Sequence, residues 1–143
     1  MSRSLVLAPR PLAVALAMAT ACLLAPTDAD AFPGTLNDWQ DRYGAQSTSG
    51  DAAGCQLCHG NANGGSPWNG YGWDVLLALE SAACDLDMDG TVSNAEAFFC
   101  IEMDDSDGQG DDNASEIGLD TQPGWREGPF NTLFTRASTI ENQ

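Results

Sequence analysis

The chain has 143 residues, with 21 aspartates and glutamates against 5 arginines, no lysine and one histidine, for a formal net charge of −16. That balance argues against nucleic acid or an anionic membrane surface as partner and favours bound cations or a basic protein surface. The acids cluster between Asp85 and Asp120, so solubility alone does not account for them.

The N-terminus reads as a targeting segment. Arg3 and Arg10 lead into an uncharged apolar stretch, Leu12 to Leu24, and Ala29-Asp30-Ala31 has the A-x-A form of a cleavage site. Residues 1–31 are therefore expected to be a signal peptide, with the mature chain starting at Phe32. The stretch is short for a transmembrane helix, so no membrane span is expected. Lipid anchoring at Cys22, after Ala19-Thr20-Ala21, is the competing expectation. Residues 32–143 suffice for one small domain with a modest core. The expected location is periplasmic or secreted, which puts the cysteines in an oxidising compartment.

Residues 32–83 form the first half of the mature chain. Thr35-Leu36-Asn37-Asp38 looks like a capping box with Asp in third place and predicts a helix of about ten residues to near Gly44. Leu36, Trp39 and Tyr43, three and four apart, share one face of it. Residues 45–54, rich in Ser, Gly and Ala, read as a loop. Cys55-Gln56-Leu57-Cys58-His59 follows, containing the only histidine. A second loop runs from Asn61 to Gly70, with Trp68, Tyr71 and Trp73 at its end. A helix is expected from Trp73 to about Ala83, carrying Val75, Leu76, Leu77 and Leu79.

Residues 84–120 carry two acidic loops. In Asp85–Glu96, Asp85, Asp87 and Asp89 offer carboxylates at alternate positions, and Gly90 permits a sharp turn. Thr91 offers its backbone carbonyl, Val92 pins the loop to the core, Ser93 ligates directly or through water, and Glu96 closes the site. Calcium needs such a set of hard oxygens. Ser93 and Glu96 also make a capping box for the next helix. A second copy places Asp105, Asp107, Gln109, Gly110, Asp111, Asn113 and Glu116 at the same offsets. Gln109 replaces the third carboxylate and Asp112 the apolar pin, so this loop attracts a cation less strongly. Asn113 is the expected N-cap of the segment after it. The short stretch between the loops predicts one shared helix, Ala97 to Met103. Cys84 and Cys100 are expected to form a disulfide, which at this loop size contributes roughly 3 kcal/mol. A zinc site on Cys55, Cys58, Cys84 and Cys100 is the rival. In the tail, residues 121–143, Phe130, Leu133 and Phe134 predict a short amphipathic helix.

The acidic loops resemble the EF-hand family over about 85–116, and more closely its extracellular relatives, dockerin modules and thrombospondin-type calcium repeats. That resemblance implies structural calcium rather than signalling. It also puts Cys84 and Cys100 on inward-facing positions. The C-x-x-C-H pattern of Cys55 to His59 resembles the haem-attachment site of c-type cytochromes. Carried over by position, Cys55 and Cys58 would be thioether attachments for haem c, and His59 the proximal iron ligand. Trp68, Tyr71 and Trp73 would wall the haem. Met103 is the candidate distal ligand, with an open iron as the other possibility. A Cys55–Cys58 disulfide beside an ordinary histidine is the alternative for the motif.

The expected fold is mainly α: a small single domain of four or five short helices around a covalent haem, capped by tandem EF-hand-like calcium loops. No strand pairing is expected beyond a short bridge at Val92. The expected function is an exported, small mono-haem c-type cytochrome-like electron carrier stabilised by calcium, with a basic redox partner protein. The alternative is a calcium-dependent secreted binding or adhesion module in which haem is structural or absent. No acid–base pair beside the motif supports catalysis, so the chain is not expected to be an enzyme. An open-site haem enzyme is a third reading.

Overall fold

Trp39 and Tyr43 are buried side by side on one face of the first helix, α1 (Pro33–Tyr43), with Leu36 packed against the same core. This structure, a computed structural model, describes residues 33–128 and 131–136. The signal peptide, Cys22 and Phe130 lie outside the described residues. Thr35 falls inside α1 rather than capping it. Pro33 suits a first turn, whose N–H groups lack helical partners. Thr35 instead donates to Asn94 Oδ1 (3.3 Å), and Asn94 Nδ2 donates to Asp38 (2.6 Å).

Residues 45–54 are not all loop. A short helix, α2 (Thr48–Ala53), begins behind Ser47, whose hydroxyl accepts from Gly50 N. Asp120 reaches the same helix end from across the chain, accepting from Ser49 N (2.8 Å) and Thr48 Oγ1 (2.7 Å). The 3-10 turn Gly54–Leu57 follows directly and carries Cys55. Leu57 is fully buried.

The third helix, α3 (Gly70–Leu79), starts about one turn earlier than expected because Asn69 caps it. Asn69 Oδ1 accepts from Gly72 N (2.9 Å), while its amide donates to Leu57 O (2.8 Å). Tyr71 and Trp73 therefore belong to α3 and turn inward, and Tyr71 OH accepts from Trp39 Nε1 (3.1 Å).

A 3-10 turn, Ala82–Cys84, leads through the first acidic loop to α4 (Asn94–Cys100), which opens on the expected Ser93/Glu96 capping box. The expected shared helix over Ala97–Met103 is displaced: it starts at Asn94 and stops at Cys100, and Met103 is exposed in the turn beyond. The last helix, α5 (Asn113–Gly118), follows the second acidic loop and is capped by Asp112 rather than Asn113. Helix α4 packs against both α1 and α3. Its Phe98 and Ala97, with Ile101 and Ile117, complete a core around Trp39, Tyr71 and Leu57. Burying an aromatic or Leu/Ile side chain of this kind contributes about 1.5–3 kcal/mol.

The architecture is thus mainly α, a small single domain of short helices without a sheet among the described residues. The two β-bridges found there are His59 with Trp68 and Trp68 with Phe134. Among the described residues no bridge forms at Val92. Leu133 and Phe134 do not form the expected amphipathic helix. Phe134 pairs in both directions with the backbone of Trp68 (2.9 and 2.8 Å) and stacks on Trp73, with ring centroids 5.4 Å apart and planes 12° from parallel. No described helix is long and apolar enough to cross a membrane.

Candidate metal centre

Cys84 and Cys100 form the expected disulfide, with Cα atoms 5.6 Å apart, and it holds together the two ends of the first acidic segment. The four-cysteine zinc site is thereby excluded. The disulfide is consistent with an oxidising, extracytoplasmic environment. Asp85 folds the segment over itself: its carboxylate accepts from Asp89 N (3.2 Å) and Gly90 N (3.0 Å). Asp87 accepts from Asp89 N (3.1 Å), and Asp89 accepts from Thr91 N (2.8 Å) and Thr91 Oγ1 (2.7 Å). The path needs positive φ at Met88 (62°) and Gly90 (94°), of which only the glycine adopts it freely. As a result, one carboxylate oxygen each from Asp85, Asp87 and Asp89 lies within 4.8 Å of the others. Like charges at this spacing repel, and a dication between them removes the repulsion.

Glu96 stands at the closing position. Its Oε1 accepts from Leu86 N (2.8 Å) and Asp87 N (3.1 Å), and its Oε2 from Ser93 N and Ser93 Oγ (2.8 Å each). The bonds from Ser93 lead, and together these donors hold the Glu96 carboxyl down to about 2. Ser93 is accordingly engaged in the cap. Val92 is partly buried against the core, as a pin for the loop should be.

The second acidic segment follows the same backbone path. Asp105 accepts from Gln109 N (3.0 Å) and Gly110 N (2.8 Å), and Asp107 from Gln109 N and Gln109 Nε2 (2.8 Å each). Gly108 (φ 76°) and Gly110 (φ 106°) occupy the places of Met88 and Gly90. Its oxygens do not converge as closely: among the described residues only the Asp85 set brings three ligand atoms within 4.8 Å. Asp111 is exposed. Asn113 is buried, and its amide donates to Ile101 O (2.7 Å) and Ser106 Oγ (2.9 Å), so it belongs to the interior. Ser106 in turn donates to Asp74 on α3 (2.6 Å). Glu116 is 5% exposed, and its Oε2 has no hydrogen-bond partner. Burial, then the nearby carboxylates of Asp107, Asp105, Asp111 and Asp112, push the Glu116 carboxyl up to about 7.

No family model, no curated protein and no solved structure matches this chain. The expected assignments to c-type cytochromes and to the EF-hand or dockerin families are therefore corrected. What stands in their place is a helical domain with a Cys84–Cys100 disulfide and an aspartate cluster beside it.

The residues expected to hold haem c do not fit it. Cys55 and Cys58 are free thiols on a tight turn that α3 packs against directly. A Cβ on Gly72 would lie 2.0 Å from Cys58 O, so α3 lies directly against the backbone of the turn. Burial, then the neighbouring Cys55, pushes the Cys58 thiol up to about 12. His59 Nδ1 bonds Gly65 O (2.7 Å), and Trp68 lies against the imidazole with centroids 5.9 Å apart. Trp73 contacts both Trp68 and Phe134, and Tyr71 bonds Trp39, so two of the expected walls, Tyr71 and Trp73, are buried in the core and Trp68 is half-buried beside them. Met103, the expected distal ligand, is 77% exposed. A cleft beside the motif, lined by Ala53, Gln56, Gln122 and Trp125, measures about 250 Å³, below the roughly 300–1,000 Å³ of small-ligand pockets. The electron-carrier reading is overturned on these grounds.

Sequence reasoning missed Asn69, Asp74, Ser106 and Asp120, which tie the motif turn, the second acidic segment and α2 into the domain. Asn69 before Gly-Tyr-Gly was a readable cap. The others act across the chain and leave no local mark.

Proposed function

We propose that this protein is a calcium-dependent binding module of the extracytoplasmic space. Its acidic segment at Asp85, Asp87 and Asp89 takes a hard divalent cation, and the cation fixes the surface presented to a partner. The observation that carries this reading is the convergence of three carboxylate oxygens within 4.8 Å on a disulfide-held loop. An all-oxygen donor set suits calcium over zinc or copper, which favour nitrogen and sulfur. The net charge of −16 favours a partner with a basic surface. Export through cleavage after Ala31 is part of the same proposal. Calorimetric titration of the oxidised protein with calcium tests it. Saturable binding that Asp85→Asn with Asp87→Asn weakens about tenfold or more supports it, and no heat up to millimolar calcium refutes it.

A further inference from the structure

The two acidic segments share a backbone path but differ in what their closing carboxylates touch. Glu96 accepts four hydrogen bonds from the protein. Glu116, deeper in the domain, leaves Oε2 without any donor. Buried polar atoms almost always have a partner, and an orphan is expensive to keep. The charges that act on its carboxyl are the aspartates of its own segment, which offer negative charge and no protons for a hydrogen bond. A hard cation satisfies all of these groups at once.

The surroundings differ too. Residues 86–91 of the first segment are all exposed. The second segment is built into the fold: Ser106 bonds Asp74 on α3, and Asn113 bonds Ile101 O. Arg126 donates to Gly108 O. A Cβ on Gly70 would strike Ser106 O at 2.0 Å. A site on such a frame is more rigid, and rigidity raises affinity alongside ligand charge.

We propose that the Asp105–Glu116 segment is a second site for a hard divalent cation, integral to the folded domain, with Glu116 Oε2 as its interior ligand beside Asp105 and Asp107, and that it fills before the Asp85 site. This order reverses the one that charge count alone gives, since Gln109 stands where the first segment has Asp89. The carboxylate oxygens of this segment form no group of three as close as that of the first, and the cation draws Asp105, Asp107 and Glu116 together. The inference shares only its class of ion with the function proposed above.

The test is a calcium titration of the oxidised full chain, followed by NMR at the amides of Gly110 and Gly90. Gly110 is expected to saturate at a calcium concentration about tenfold or more below Gly90. Glu116→Gln is expected to abolish the Gly110 response and to leave the Gly90 midpoint within about twofold. Should Glu116→Gln fail to fold, Asp107→Asn, nearer the surface, replaces it with the same expectation. A Gly110 amide that stays still through millimolar calcium while Gly90 moves overturns this inference and leaves the first site standing. Stillness at both amides overturns both proposals. Gly90 saturating first overturns the order, and a wild-type Gly110 response in the variant overturns the role of Glu116.

Discussion

Asp85 and Asp105 do the same work in two places: each carboxylate accepts the backbone N–H groups four and five residues ahead, at distances between 2.8 and 3.2 Å. The turn is thus held by a side chain that also carries charge. Such a turn keeps its shape when its other acids are neutralised, because the holding bonds need an acceptor and not a cation.

That separation predicts the behaviour of Asp85→Asn combined with Asp87→Asn. At Asp85 an amide oxygen keeps only one of the two N–H bonds, since Asp89 N and Gly90 N go to different carboxylate oxygens, and that loss offsets the fall in repulsion with Asp89. The metal-free double variant is expected to melt close to the parent, and to bind calcium about tenfold or more weakly at this site. Calorimetry and thermal unfolding in chelator check the two halves independently.

The Cys84–Cys100 disulfide closes a short loop around the first acidic segment. Cys84→Ser with Cys100→Ser is expected to lower unfolding free energy by about 3 kcal/mol, read by denaturant titration. Reductant should destabilise the parent by a similar amount and leave the double variant unchanged.

Gly72→Ala tests the contact that closes the cysteine turn. Its new Cβ would lie 2.0 Å from Cys58 O, so α3 must shift, at about 1–3 kcal/mol. Gly34→Ala, on α1 with open space around it, is the control and should be neutral or slightly stabilising.

Acid sensitivity should trace in part to Glu102. Burial alone would raise its carboxyl, but hydrogen bonds from Arg42 (2.8 Å) and Tyr43 (2.7 Å) outweigh it and hold the carboxyl below its ordinary 4.5. The unfolded chain then binds more protons in acid than the folded one. The contribution is complete above about pH 4.5 and is lost as pH falls through the lower folded value. Glu102→Gln should flatten that part of the stability curve, measured by unfolding from pH 6 down to about pH 3.

Local patterns were legible and tertiary ones were not. The spacing of Leu36, Trp39 and Tyr43, the Ser93/Glu96 cap and the Cys84–Cys100 pair are decided within a turn or a short loop, and the sequence carries them. The cysteine–histidine turn shows the limit. Its spacing is local, but room for a flat cofactor is a property of whatever packs over it. Here α3 at Gly72 lies against the backbone of the turn, and Trp68 from the loop lies against His59. The same holds for α2, whose N-terminus is closed by Asp120, and for the tail, which pairs with Trp68 because stacking on Trp73 outweighs its helical spacing.

The most direct test of a cation-dependent domain is thermal unfolding of the oxidised full chain in calcium and in chelator. Calcium at 100 times the dissociation constant adds about 2.7 kcal/mol per site, which for a domain of this size raises the midpoint by roughly 10 °C or more. The account predicts a rise of that order, largely removed by substituting Asp85, Asp87 and Glu116 together. Superimposable transitions in calcium and in chelator would contradict it.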